Sequence, residues 1–509
     1  MNDIVKENQK TEGVVNVWDI IRSGDPSILG FSTEISVNIQ ETISFKISCG
    51  FAQCNLGIYR LGYYNGLGAR KISGTNTLNR NLNQPECAYD SLTGLVDCGN
   101  WNVSYNWVVP DNAVSGVYFA HLTNLDNGAT NQILFIVRND DSNSDLLFQT
   151  SDSTWHAYNS YRGFSLYPKW DPKVVQFCQQ AAKVSYNRPL VITQISEESD
   201  WFFNAEYPML RWVERNGYDV TYTTCVDSAF RGGKILQHKV FLSVGHDEYW
   251  SKEQRDNVKR ARDNGIHLAF FSGNEIYWKT RWEDSLLNEM RIHGTLVCYK
   301  EGNKKKEGGE EGEDGNNIRQ SKSDPKTEEW TGLWRRGGCY DAGKPENALS
   351  GQISFTQSGK SGTAIEVPFD CKDYRFWRNT EIEKLKPDDK PLQLMKGTLD
   401  YEWDWEQEEF CKDYPKNRIK LSAITINGKT HHLSIYRHKS GALVFGAGTV
   451  QWSWGLDANH IPSQNPAGDI GLPPDRNMQQ ATVNLFADMG VKPGKLQDDL
   501  IPAEKEDWI

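Results

Sequence analysis

Along the first 140 residues apolar and polar positions alternate with a period of two. Ile35, Val37 and Ile39 share one face, and after a three-residue break Ile43, Phe45 and Ile47 do so again. Trp101, Val103, Tyr105 and Trp107 repeat the pattern, and Val117–Leu122 and Ile133–Val137 read as further strands. Side chains that alternate this way put one face of a sheet in a core and the other toward solvent. Short strands separated by Gly- and Asn-rich turns predict an all-β, immunoglobulin-like sandwich over residues 1–140. The polar run Asn139-Asp140-Asp141-Ser142-Asn143-Ser144 marks the expected boundary with a second domain over residues 141–509.

Beyond that break the rhythm changes. Leu146–Gln149, Leu190–Thr193 and Val220–Thr223 are short apolar runs that predict strands. Asn204–Asn216 predicts an amphipathic helix, with Met209, Leu210, Trp212 and Val213 inward and Gly217 after its end. The organising stretch is Lys239 to Trp282. Lys239–Val244 predicts a buried strand that ends on His246, Asp247 and Glu248. Ser251, with Gln254 three residues on, predicts a capped helix to about Asn264, closed by Gly265. His267–Phe271 predicts a second strand, ending on Ser272–Glu275. Within the helix only Val258 and Ala261 are apolar, so it should touch the sheet along a narrow stripe. Two strands joined by a helix of crossover length form a βαβ unit. Strands alternating with helices predict a mostly parallel sheet, whose ligands bind at the carboxyl ends of its strands. Later, Ile424–Ile426 and His431–Tyr436 flank Asn427-Gly428 as a hairpin, Leu443–Phe445 is a strand and Asp475–Met489 a closing helix. The stretch 301–329 has no apolar period and is rich in Gly and charge, which predicts a solvated, mobile insertion.

The chain has 509 residues, room for more than one core, and a net charge of −11, which argues against a nucleic-acid partner. No apolar run is long enough for a transmembrane segment, and the polar N-terminus carries no secretory signal. A soluble protein is expected; a mature secreted form and a cytoplasmic one both fit. Ten cysteines show no CxxC and no zinc-type spacing. Cys49/Cys54 and Cys87/Cys98 are near pairs, readable as disulfides or as free thiols. Asn102-Val103-Ser104 is a single glycosylation sequon.

The common catalytic signatures are missing: no GxSxG, HExxH, Walker sequence or GxGxxG after a strand. What remains is oxygen-rich. Glu248 sits at a strand's carboxyl end, Tyr158 and Tyr167 lie in a Gly- and Ser-containing segment, and Glu402 and Asp404 lie in YEWDW. Phenolate and carboxylate are hard donors that suit Fe(III). In a chain with 21 tyrosines, packed rings are the plainer reading of the same residues.

The segments TWHAYN, SLY, FNAEYPMLRW, NGYDVTY, VFLSVGHDEYWS, LAFFSGNEIYW, RFWRNT, YEWDW and GALVFGAGTVQWSWGLD resemble, in order, the C-terminal domain of the N,N-dimethylformamidase large-subunit family. DPSILGFSTEISVN, IYRLGYYNGLGARK and LVDCGNWNVS resemble the sandwich that precedes it in bacterial relatives. The resemblance implies a glutamine-amidotransferase-like, flavodoxin-like α/β domain and a mononuclear iron held by two tyrosines and a glutamate. By motif these are Tyr158, Tyr167 and Glu248. It implies His246 as a catalytic or supporting histidine, Glu402 as the base near the metal and Asn274 beside the site. The expected activity is metal-dependent hydrolysis of a small amide. A homo-oligomer and a small partner subunit are compatible with that family. The alternative expectation is a non-catalytic, secreted or surface binding protein on the same scaffold.

Overall fold

The computed structural model describes residues 1–21, 24–50, 53–78, 82–167, 169–171, 176–191, 201–287, 292–300, 324–335, 343–354, 362–461 and 473–505. In the N-terminal part, Cys54–Leu61, Gly116–Asn124 and Thr130–Arg138 form the antiparallel heart of a seven-stranded sheet. Ser36–Asn38 adds to its edge in parallel. A three-stranded antiparallel sheet of Tyr105–Val108, Thr42–Cys49 and Ile28–Ser32 faces it. The alternation at Ile43, Phe45 and Ile47 has its physical outcome here. All three are fully buried against Leu56, Ile58, Ala120 and Phe135 of the larger sheet. The same alternation at Trp101 and Val103 yields no strand. Gln84 bonds both the N–H and the carbonyl of Asn102, satisfying that backbone without a ladder, and only Tyr105–Val108 pairs. Cys87 and Cys98 are joined by a disulfide at the base of the hairpin formed by Ala88–Asp90 and Leu95–Asp97. Cys49 and Cys54 are buried free thiols.

The second large sheet runs, in spatial order, Val220–Thr223, Leu146–Gln149, Val240–Gly245, His267–Ser272, Leu443–Gly446, Ser434–Arg437 and Ile419–Lys420. The first five are parallel and the last two antiparallel. This is a mixed α/β arrangement, and its strand order reverses beside Leu146–Gln149, the kind of position where open α/β sheets bind ligands at the carboxyl ends of their strands. The helix Lys252–Asp263 bridges two of these strands. Ser251 Oγ accepts the Gln254 N–H, as the spacing predicted. The Gln254 side chain does not complete a capping box, because it donates to Gln149 Oε1 across the sheet end. Gly265, at φ +93°, takes the left-handed turn that ends the helix. Helix Phe202–Arg215 and helix Arg476–Asp488, capped by Asp475, pack on the sheet.

Some expectations shift. Ile424–Ile426 pairs with Lys429–His431 through Asn427-Gly428, but Ser434–Arg437 leaves that hairpin to join the main sheet beside Leu443–Gly446. Of the expected strand Leu190–Thr193, Leu190 and Val191 are not in a strand and the rest lies outside the described residues. Most of the charged insertion, 301–323, also lies outside them. At its described end Asp324 is buried and ion-paired with Arg281 at 2.9 Å, while residues 325–329 are exposed. No helix among the described residues is long and apolar enough to cross a membrane.

The larger N-terminal sheet is apolar on both faces, because its second face (Leu61, Val117, Phe119, Ile136) merges with the core of the α/β part. At that junction Arg60 and Glu214 form a fully buried two-pronged ion pair at 2.8 and 3.0 Å, and Tyr222 donates to the same carboxylate at 2.9 Å.

Candidate functional site

Four turns meet at the carboxyl edge of the α/β sheet. The first follows Leu146–Gln149 as the buried helix Asp152–Tyr158. Its start carries no side-chain cap of its own. Instead Glu206, from helix Phe202–Arg215, accepts the Ser151 N–H at 2.9 Å and the Trp155 indole at 2.7 Å. Tyr158 is the last residue of this helix, and Ser165–Tyr167 follow shortly.

The second turn leaves Val240–Gly245 at Gly245, whose φ of +80° turns the chain. Extended backbone then sends alternate side chains to opposite sides. Asp247 points back, accepting from Gln149 Nε2 at 2.7 Å and Ser243 Oγ at 2.8 Å. His246 and Glu248 point together to the other side. The Glu248 N–H donates to Thr154 Oγ1 at 3.1 Å, tying this turn to the first.

The third turn, after His267–Ser272, carries Asn274. The fourth is YEWDW, held by a bridge between Trp403 and Thr449 and by the Asp404 N–H on the Gly448 carbonyl at 2.9 Å. The last two abut at Gly273, where a Cβ would stand 2.6 Å from Val450 N and 2.7 Å from Glu402 O. No larger residue fits there without moving backbone. Asn274, Ile276 and Glu402 all have positive φ (52°, 59° and 34°). Such strain persists only where surrounding structure fixes it, and it gathers at functional sites.

The side chains converge. Tyr167 Oη donates to Glu248 Oε1 at 2.7 Å. His246 Nε2 lies 2.7 Å from Glu402 Oε2 and 3.4 Å from Glu248 Oε2. A carboxylate only accepts, so this Nε2 carries the proton in the Glu402 contact. Asn274 Nδ2 donates to Glu402 Oε2 at 2.7 Å, and the Asn274 N–H donates to Asp404 Oδ1 at 2.9 Å. The Tyr158 ring lies 4.5 Å from that of Tyr167 and 5.6 Å from that of His246. All six residues singled out in the sequence, Tyr158, Tyr167, His246, Glu248, Asn274 and Glu402, therefore sit in one place. Sequence reasoning missed Lys300. Its ammonium lies 3.1 Å from the Tyr167 ring centroid and 4.7 Å from that of Trp278. No local pattern marks Lys300; it follows a short strand, Thr295–Val297, that the periodicity does not reveal.

Burial dominates the electrostatics. It pushes Glu248 up to about 7, with His246 pulling down and the Glu402 charge pushing further up. Burial, then the charges of Glu248 and Glu402, hold the Tyr167 phenol well above its usual range. Ionising that phenol therefore requires a strong positive charge close by. Glu248 Oε2 is buried and makes no hydrogen bond of ordinary geometry. A buried acceptor of this kind, flanked by two phenols, suits a hard cation. Among the described residues no group of three His, Cys, Asp or Glu side chains is placed to hold a metal. A cation at this spot would thus draw on Tyr158 and Tyr167 as well as Glu248.

A family model for the C-terminal part of N,N-dimethylformamidase beta subunit-like proteins matches residues 55–465. The match begins inside the larger N-terminal sheet, so it takes in strands upstream of residue 140. Comparison with curated proteins returns no match. Among solved structures, a family 123 glycoside hydrolase from Clostridium perfringens, studied for glycolipid glycan hydrolysis, is 10% identical, with 49% of this chain and 46% of that chain covered and a TM-score of 0.11. This chain thus spans about half of that one, and a TM-score so low carries no argument.

Proposed function

The chain belongs to the N,N-dimethylformamidase beta subunit-like family, and on that footing we propose that it hydrolyses a small amide with the help of a mononuclear iron. The observation that carries the reading is the contact of Glu402 with both His246 and Asn274 at 2.7 Å, beside the Tyr167–Glu248 pair. The strand order supports reading the α/β part as glutamine-amidotransferase-like. The two facing N-terminal sheets support an immunoglobulin-like sandwich.

Tyr158, Tyr167 and Glu248 would hold the iron. Bound there, it supplies a Lewis acid for a carbonyl oxygen or a water. The remaining work falls to the chain itself. Glu402 takes a proton from the attacking water and returns it to the leaving amine. Asn274 and His246 fix the Glu402 carboxylate, and the His246 N–H stabilises negative charge developing beside it. The aromatic walls, Tyr158, Tyr249 and Tyr401, exclude bulk water and strengthen each of these interactions. A small partner subunit, or a second copy of the chain, completes the proposed assembly.

The test is protein purified without added metal, assayed for iron and visible absorbance and offered a panel of formamides, acetamides and short peptides. Turnover of a small amide by iron-containing protein supports the reading. Iron-free protein that turns over none of the panel returns the chain to the binding-protein alternative.

A further inference from the structure

Tyr158 and Tyr167 stand on separate pieces of backbone, and one buried side chain outside the proposed chemistry bonds to both pieces. Tyr158 ends the helix Asp152–Tyr158, and Tyr167 follows the short strand Phe164–Ser165. The chain between them doubles back through Arg162 and Gly163, at φ of 60° and 80°. The Leu166 N–H then meets the Ala157 carbonyl at 2.9 Å, which brings the two pieces side by side. Arg188, 1% exposed, joins them again. Its Nη2 donates to the His156 carbonyl and its Nη1 to the Phe164 carbonyl, each at 2.9 Å. Its Nε donates to the Ser185 carbonyl at 3.2 Å. The segment that carries Arg188 is itself fastened. The N–H of the disulfide-bonded Cys98 donates to the Asn187 carbonyl at 2.7 Å, and Asn187 Nδ2 donates to Ser285 Oγ at 3.1 Å. Tyr186 donates its hydroxyl to Asp152 Oδ2 at 2.9 Å, and its ring stacks on that of His156 at 3.7 Å. Past Arg188, the Asn159 side chain donates to the Pro189 carbonyl and accepts the Val191 N–H, both at 2.9 Å.

We propose that Arg188 is the positioning residue for the Tyr158–Tyr167 pair: its planar fork fixes the spacing of the two backbone segments and so holds the two rings 4.5 Å apart beside Glu248. A guanidinium presents its donors in one rigid plane, so two carbonyls bonded to it cannot shift independently. An ammonium is a single point of charge on a flexible stem and imposes no such geometry. Bonds from a charged donor are also the stronger kind, which suits a clamp. A site assembled from several side chains tolerates only about 0.5 Å of play, so the backbone bearing those side chains has to be fixed from outside. The His156 and Phe164 carbonyls are close enough along the chain to Tyr158 and Tyr167 for a slip there to reach the phenols. Arg188 acts through that backbone. The inference rests on the iron reading only for what the paired phenols do.

Two measurements on the full chain test it. The first needs neither metal nor substrate: amide hydrogen exchange of the metal-free protein. Arg188→Lys should lose protection at the Leu166 amide, whose bond to Ala157 depends on the clamp, while the amides of Val240–Gly245 keep theirs. Equal protection at Leu166 in variant and wild type would overturn the clamp. Loss spread evenly over the central sheet would make Arg188 a general structural residue and overturn it too. The second measurement adds ferric ion. Arg188→Lys and Arg188→Ala should bind it ~10–100-fold more weakly against a competing chelator, the scale typical of lost supporting contacts. Their phenolate-to-iron absorption maximum should also shift, because that band depends on how the phenolates meet the metal. Guanidinium ion, added far below denaturing concentrations, should restore part of the affinity of Arg188→Ala. Wild-type affinity and an unshifted band in both variants would overturn the positioning role. If Arg188→Ala does not fold, Arg188→Lys decides by both readouts. If the wild type takes up no ferric ion, the iron reading fails, while exchange at Leu166 still decides whether Arg188 holds the two segments.

Discussion

Tyr167 donates its hydroxyl to Glu248 across 2.7 Å, although the two residues are 81 positions apart in the chain. The contact exists because a parallel sheet brings the ends of non-consecutive strands to a common edge. If these oxygens hold a metal, removing either should lower it. Tyr167→Phe and Glu248→Ala are expected to lose bound iron and any visible absorbance, by more than the ~10–100-fold cost of a lost supporting residue. Elemental analysis and an absorption spectrum check this. Both variants retaining full iron would remove the metal from the site.

Glu402 touches His246 and Asn274 but is not among the proposed ligands. Glu402→Gln should therefore keep its iron and lose kcat by ~10²–10⁴-fold, the range for a general base. Iron lost in parallel with activity would instead make Glu402 part of the binding set.

Gly273 fits only because it has no side chain. Gly273→Ala puts a Cβ 2.6 Å from Val450 N and 2.7 Å from the Glu402 carbonyl. The atoms met are backbone, so the turn must move. An expected displacement near 1 Å should cost ~10²-fold in kcat/KM, and the overpacking about 1–3 kcal/mol of stability. Steady-state kinetics and urea unfolding read the two effects separately.

The Arg60–Glu214 pair ties the N-terminal sheet to helix Phe202–Arg215, and both side chains are fully buried. Glu214→Ala strands a guanidinium and should cost about 3–5 kcal/mol. The double change Arg60→Met with Glu214→Leu should cost less, since no charge is left without a partner. Denaturant midpoints of the three proteins test the order.

Burial raises Asp247 from 3.8 to about 7. Because its folded pKa lies above the unfolded one, its stabilising contribution is complete below the usual carboxylate range and lost as pH rises through about 7. Asp247→Asn should flatten the fall in stability over that window by on the order of 1–4 kcal/mol. Midpoints measured at the two ends of the window decide it. A variant curve parallel to the wild type would mean Asp247 stays ionised throughout.

Much of this architecture was legible locally. The apolar alternation of Ile43, Phe45 and Ile47 and the apolar run before His246 each describe one element, and each element is decided by burial along its own few residues. Ser251 and Gly265 ended their helix where the spacing said, since caps depend on neighbouring backbone. The misreadings lie where a partner from elsewhere intervenes. Gln84 satisfies the backbone at Asn102, Gln149 takes the Gln254 side chain, and Leu443–Gly446 draws Ser434–Arg437 out of its hairpin.

The same division runs through the site. Sequence alone determined the types of group available, namely phenol, carboxylate, imidazole and amide at the ends of apolar runs, and the βαβ rhythm that would bring strand ends to one edge. Only the folded chain decided that Glu402 reaches His246, that Gly273 lets two turns touch, that Lys300 lies over Tyr167, and that the Asn274 N–H meets the buried Asp404 carboxylate. Those relationships depend on distance between residues more than a hundred positions apart or on water being excluded around them, and neither quantity is written in the order of residues along one strand or helix.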